Sequence, residues 1–137
     1  MSDASEYFEH GADVGLIGRG ATLEEAFEAA AAALFGIMTD VSAVKAEQAV
    51  SVEFEEADVE LALVRWLNAL LGQSQERKLA LGRFWIERDG VCWRGGASGE
   101  PWRAGLERGV EVKGATLTGL LVTQAAGGWE ARCVVDV

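Results

Sequence analysis

The residues best suited to chemistry are carboxylates at two distant points of the chain. Asp13 lies in the segment Glu9-His10-Gly11-Ala12-Asp13-Val14-Gly15, where small neighbours let an ion or another chain segment come close. Asp136 precedes Val137, whose α-carboxylate is expected to add a second negative group. Neighbouring carboxylates repel each other unless a cation or a hydrogen-bond donor joins them. Hard oxygen ligands of this kind favour calcium, magnesium or manganese.

Simpler explanations exist for each of these features, and the residues alone leave them open. Asp13 could cap its own backbone in a turn, because Asp and Gly are common turn residues. The segment around Asp136 could be a frayed, solvated end. Lys113, in the strand-like run Glu111-Val112-Lys113-Gly114-Ala115-Thr116, could bridge two carboxylates or contact a partner. It could equally remain solvated, as most lysines do.

Other catalytic chemistries find little support in the sequence. His10 is the single histidine, and neither a Gly-x-Ser-x-Gly elbow nor a phosphate-binding loop is present. Cys92 and Cys133 have no Cys or His neighbour at zinc-ligand spacing. We predict that both are small core residues, or at most one pair, in a reduced intracellular protein.

Composition predicts one domain, residues 1–137, with a sizeable core, because half of the residues are hydrophobic. The formal charge is −10, and the basic residues do not cluster. Direct binding to a nucleic-acid backbone is therefore disfavoured, and a nucleic-acid role is expected to run through a partner. The acidic charge suits a partner with a basic groove, although it could serve solubility alone. With no signal-peptide pattern, a cytoplasmic protein is expected.

Two amphipathic helices are expected to position these residues. The first starts at the capping box Thr22-Leu23-Glu24-Glu25, and Gly36 begins to end it. The second is capped by Asp58 and runs to about Leu71. The apolar stripes expected to face the core are Leu23, Ala26, Phe27, Ala30, Leu34 and Ile37 in the first helix, and Val59, Leu63, Trp66, Leu67 and Leu70 in the second. The outer face of the first helix is expected to carry Glu24, Glu25 and Glu28.

The rest of the chain alternates as strands do. We predict strands over 7–9, 14–17, 50–55, 79–88 and 91–94, with a hairpin turn at Asp89-Gly90. Residues 95–109 are expected to form a loop, and 110–123 and 129–137 a last pair of strands. The predicted fold class is α+β, a two-layer domain with two helices packed on a mostly antiparallel β-sheet.

Five segments, in order, resemble the archease family. The shared segments are Glu9 to Gly15, the helix ending Leu34-Phe35-Gly36-Ile37-Met38-Thr39-Asp40, Trp66-Leu67-Asn68, Val112-Lys113-Gly114-Ala115-Thr116, and Gly128-Trp129-Glu130-Ala131-Arg132 continuing to Asp136-Val137. The chain departs from the family pattern at Gly11 (usually Thr), at Gly114 (usually Ala), and at Leu106 and Thr118 (often His).

The resemblance implies two helices packed on β-sheet and a calcium-like metal site formed by Asp13, Asp136 and a main-chain oxygen of Val137. It also implies a functional role for Lys113, and Asp40 matches an acidic position of the family. The implied metal is Ca²⁺, with Mg²⁺ or Mn²⁺ as alternatives.

The activity implied by the resemblance is help given to another enzyme rather than catalysis. Family members assist an RtcB-type RNA ligase, which uses GTP and manganese, by promoting its guanylylation and multiple turnover in tRNA splicing or RNA repair. RNA is then reached only through the ligase. The alternative is a general chaperone or a modulator of an RNA methyltransferase. A free-standing metal-dependent hydrolase is disfavoured, because the sequence offers no convincing base or nucleophile.

Overall fold

A computed structural model describes residues 4–11 and 13–137, with the backbone but not the side chain of His10. The helices are α1 (Leu23–Met38) and α2 (Val59–Arg77), and a short 3-10 helix covers Val41–Ala43. The strands are β1 (Ser5–His10), β2 (Asp13–Gly20), β3 (Gln48–Glu55), β4 (Leu79–Asp89), β5 (Cys92–Pro101), β6 (Gly114–Ala115), β7 (Leu121–Ala125) and β8 (Gly128–Asp136). Among the described residues, no helix is both long enough and apolar enough to cross a membrane.

The strands form two antiparallel sheets. In the first, the order is β1-β2-β8-β6, and β7 also pairs with β8; in the second it is β3-β5-β4. Helix α1 contacts β1, β2 and β8 of the first sheet and β4 of the second, and α2 likewise contacts strands of both. The predicted α+β class with two helices on antiparallel sheet is therefore confirmed.

Helix α1 begins as its capping residues predict. The amide of Glu25 donates to Thr22 Oγ1 at 3.1 Å, while the Glu25 carboxylate accepts from the amide of Ala21 at 2.9 Å. The predicted stripe is buried apart from half-buried Ile37, and Ala31, Ala33 and Phe35 are buried as well. This wider burial follows from contacts with two sheets. The helix ends at Met38, two residues after Gly36, as the predicted stripe through Ile37 requires.

Helix α2 is capped by Asp58, whose carboxylate accepts from the amides of Glu60 and Leu61 at 2.8 and 3.2 Å. Its predicted end near Leu71 is wrong, because the helix runs to Arg77. The turns beyond Leu71 are stabilised because the side of the helix that faces the core is buried there, as the burial of Ser74 shows. Close packing between the helices is reinforced where the Trp66 indole N–H donates to the carbonyl of Phe27 at 3.0 Å.

Three expectations about the strands are corrected. Strand β5 continues into the predicted loop as far as Pro101. Gly96 and Gly99 make this possible because they lack a Cβ, which would overlap carbonyl oxygens of the neighbouring strands. The hairpin turn is Gly90-Val91, one residue later than predicted, and Gly90 has φ +63°. The predicted strand 110–123 is broken into β6 and β7. These differences reflect pairing with distant segments, which local patterns do not specify.

The two cysteines are both free, and they differ in exposure. Cys133 is fully buried in β8, as expected of a core residue, whereas Cys92 is exposed at the start of β5. The expectation that both belong to the core, or form a pair, is therefore wrong for Cys92.

Candidate metal-binding tip

Strands β2 and β8 bring together the carboxylates that the sequence singled out. In their antiparallel register Val14 pairs with Val135, β2 begins at Asp13, and β8 ends at Asp136. Asp13 and Asp136 lie one residue beyond this last pair, and the same register continued by one step would set them opposite each other. Residues paired in this way lie on the same face, with Cβ atoms about 4.5–5.5 Å apart. We call Asp13, Lys113, Asp136 and Val137 the acidic tip.

Burial along β8 explains why the acidic tip presents its carboxylates. Cys133, Val134 and Val135 are buried, so the strand is covered on both faces until its last residue. Asp136 is then exposed and Asp13 half-buried. Two like charges directly opposite each other destabilise a sheet. A cation between them would turn this repulsion into attraction.

Strand β6 places Lys113 on the other side of Asp136. Gly114 pairs with Asp136, and the amide of Lys113 donates to the Asp136 carbonyl at 2.7 Å. The Lys113 side chain is exposed, and within residues 4–11 and 13–137 it forms no ion pair. The lysine therefore stands beside the carboxylates without bridging them.

Asn68 of α2 fixes strand β6, which begins directly after Lys113. Its Nδ2 donates to the carbonyl of Ala115 at 3.2 Å, and its Oδ1 accepts from the amide of Ala115 at 2.9 Å. The hydroxyl of Thr116 adds a bond of 2.8 Å to the carbonyl of Val134. From the sequence, Trp66-Leu67-Asn68 was identified only as one of the five segments that resemble the family. The signal that could have shown its role is an exposed polar residue following a buried Trp-Leu pair on a helix.

Glycines shape the approach to Asp13. Gly11 lies between β1 and β2 with φ +61°, which suits glycine better than the family's threonine. Gly15 lies under the ring of Phe8, which a Cβ would overlap. His10 pairs with Asp13 through the backbone register, and its side chain is outside the described structure. Gly114 also differs from the family pattern, which usually has alanine at this position. A Cβ on Gly114 would lie 3.5 Å from Asn68 Oδ1, so alanine would fit there.

The remaining family positions lie in other surroundings. Asp40 caps the short 3-10 helix, where its carboxylate accepts from the amide and hydroxyl of Ser42 at 3.1 and 2.6 Å. Leu106 is buried against Val44 and Ala80. The amide of exposed Thr118 donates to Thr116 Oγ1 at 3.2 Å. Across the described chain, no group of three or more His, Cys, Asp or Glu side chains gathers for a metal.

The Archease protein family matches residues 6–137. The chain belongs to the archease family. It is 41% identical to protein archease of Sulfolobus acidocaldarius over 96% of this chain and 97% of the relative. It is 35% identical to protein archease of Methanosarcina mazei over 96% and 94%. The fold is similar to the solution structure of Methanobacterium thermoautotrophicum protein 1598, with a TM-score of 0.81 and 32% identity over 99% of this chain and 100% of that one.

The donor set of the acidic tip fits a hard divalent cation. Asp13 and Asp136 would supply carboxylate oxygens, and the main chain beyond Asp136 would supply another. Calcium takes about six to eight oxygen ligands. Two carboxylates and one main-chain oxygen provide about five at most, so a cation held here keeps positions open for water or for groups of a partner.

Proposed function

We propose that this protein is a non-enzymatic activator of an RtcB-type RNA ligase and that it acts through a divalent cation held at the acidic tip. Asp13, Asp136 and a main-chain oxygen of Val137 are the proposed ligands. The observation that carries the proposal is the register of β2 and β8, whose last pair, Val14 and Val135, lies directly next to the two aspartates at one end of the sheet.

An incompletely coordinated cation suits a role in docking. With open positions it could share an oxygen ligand with a ligase metal or with nucleotide phosphates. Lys113, unpaired among the described residues, is free to orient one aspartate or to contact the ligase. GTP, manganese and RNA then belong to the ligase, which carries out the chemistry.

Charge supports the choice of partner. The chain carries a formal charge of −10, which favours approach to a basic groove such as one that holds RNA and nucleotide. An exposed sheet end is also better suited to entering another protein's site than to enclosing a substrate. The cavity of about 630 Å³ beside α2 is lined by none of the tip residues.

The test is single-turnover guanylylation of the cognate ligase with GTP and manganese, with and without this protein. We expect strong acceleration that Asp13→Ala abolishes, and we expect the exposed hairpin control Asp89→Ala to behave like the wild type. Thermal unfolding of each variant checks that the fold is kept.

The alternatives give different results in the same assay. Acceleration that survives Asp13→Ala would favour a chaperone-like role, which has no strict need for this carboxylate. No acceleration by the wild type would reject the activator function for this ligase.

A further inference from the structure

A cavity of about 340 Å³ lies where helix α1 ends. This volume has room for an ion and several water molecules, since each water takes about 30 Å³ in the liquid. The lining comes from the last turn of α1, from the two residues after it and from a second chain segment: Gly36, Ile37, Thr39, Asp40, Glu107 and Gly109. These described residues include none of the acidic tip, so the cavity is a separate place on the molecule.

The second segment is fixed against the end of α1 by main-chain hydrogen bonds. The amides of Gly109 and Val110 donate to the carbonyls of Met38 and Ile37 at 2.7 and 3.1 Å. A Cβ on Gly109 would overlap the Ile37 carbonyl, so glycine is what allows this close approach. Because the segment is held in this way, Glu107 is kept at the cavity wall.

Two neutral oxygen groups of the lining have no hydrogen-bond partner among the described residues. Thr39 is 5% exposed, and its Oγ1 is buried without a partner. In the last turn of α1 the carbonyl of Gly36 accepts from no described amide, whereas the carbonyls on either side of it, those of Phe35 and Ile37, do. A buried hydroxyl without a partner is rare in native proteins and points to a bound water or ion.

The charges around the cavity are negative. Neither Asp40 nor Glu107 forms an ion pair with a residue that the structure describes. Asp40 uses its Oδ1 to accept from Ser42, which leaves its Oδ2 available. None of the described lining residues is basic, and the last turn of α1 carries no basic side chain. A helix C-terminus adds the negative end of the helix dipole, so the cavity favours a cation.

We propose that this cavity binds a divalent cation, calcium, through the carboxylates of Asp40 and Glu107, the hydroxyl of Thr39 and the carbonyl of Gly36. Calcium accepts a mixture of carboxylate, main-chain and water oxygens in irregular geometry, whereas magnesium requires a near-ideal octahedron. A water molecule would satisfy the hydroxyl but would leave the negative charge of the carboxylates and the helix end unbalanced. The site lies outside the acidic tip, and the inference does not depend on the proposed activator function.

The probe is calcium chloride, titrated into the isotope-labelled full chain at constant ionic strength and followed by the amide NMR signals of residues 39–42 and 107–109. We expect these signals to shift along a saturating curve with a Kd of about 0.1–1 mM, because calcium affinity depends on ligand charge and this site has only two carboxylates. The same shifts should persist in Asp136→Asn, which changes the acidic tip but not this cavity.

Variants locate the binding. Asp40→Asn with Glu107→Gln should weaken it by about tenfold or more, because both side chains keep an oxygen but lose their charge, and asparagine can still accept from Ser42. Glu111→Gln, a matched change of charge further along the same segment and outside the cavity lining, should leave the affinity unchanged. Thr39→Val should weaken binding and, with chelator present, raise the melting temperature, because it removes an unpaired buried hydroxyl.

The inference would be overturned by the absence of a saturating shift at these amides up to about 10 mM calcium. Equal affinity in a double variant that melts like the wild type would also overturn it. So would loss of the shifts in Asp136→Asn, because they would then originate at the acidic tip.

Discussion

Asn68 and Ala115, which are 47 residues apart, form a pair of hydrogen bonds in which the amide side chain satisfies both main-chain groups of Ala115. Ala115 is two residues beyond Lys113, in the strand whose Gly114 pairs with Asp136. A helix side chain therefore determines where the lysine of the acidic tip lies relative to its carboxylates.

Replacing Asn68 with alanine should loosen the strand around Lys113 while leaving the fold intact. Two hydrogen bonds are lost at an exposed site where water can replace them, so the free energy of unfolding should fall by about 1 kcal/mol. Hydrogen exchange of the amides of residues 113–116 should become faster, and ligase activation should decrease. Exposed Glu76→Ala on the same helix is the control. Unchanged exchange in this segment would show that Asn68 does not hold the strand.

Asp136→Asn should have opposite effects on stability in the presence and absence of a divalent cation. With chelator present, removing one of two facing negative charges should stabilise the fold by about 0.2–1 kcal/mol. With calcium at about a hundred times its Kd, the wild type should gain about 2.7 kcal/mol, and the variant much less. Thermal unfolding with and without metal measures both, with Asp89→Asn as the control. A calcium-dependent gain of equal size in the variant would exclude Asp136 as a ligand.

Glu28 should make the protein less stable as the pH rises. Its half-buried carboxylate accepts from the amide of Ile86 in β4 at 3.1 Å, so it does not face solvent as we expected. Burial raises the pKa of Glu28 above its usual 4.5, against the opposing effect of the Ile86 hydrogen bond. The folded state therefore holds this proton more tightly than the unfolded state. The stabilisation is fully present below the usual pKa and is lost as the pH rises through the raised pKa.

Glu28→Gln is the corresponding variant, because an amide oxygen can still accept from Ile86 without carrying charge. It should be more stable than the wild type at neutral pH, and the difference should disappear below the usual glutamate pKa of 4.5. Urea unfolding across this range measures the effect, with exposed Glu76→Gln as the control. A stability difference that does not change with pH would contradict the assignment.

The two cysteines should differ sharply in reactivity. Burial raises the pKa of the Cys133 thiol to about 12, so little of it is the reactive thiolate at mildly alkaline pH, and reagents cannot reach it. Cys92 is exposed. Brief treatment with iodoacetamide should therefore add one label to the native protein, at Cys92, and two after denaturation. Labelling of native Cys133 at a comparable rate would contradict its burial.

Local signals predicted the helices well and the strand ends poorly. Thr22 and Asp58 mark helix starts because their side chains bond to amides only two or three residues away. The end near Leu71 was misplaced because tertiary burial outweighs the modest cost of Gly72 within the helix. The strand character of residues 95–101 was missed for a related reason, since glycines there allow close approach of neighbouring strands.

The sequence by itself determined the helix starts, the apolar stripes, the family and the identity of the carboxylates that could hold a cation, because these depend on residue type and short spacing. Only the tertiary structure decided that Asp13 and Asp136 lie at the same end of neighbouring strands, that Asn68 fixes the strand that follows Lys113, and that Glu28 supports the edge of β4. These relationships join residues far apart in the chain, and they are set by the register and packing of whole elements.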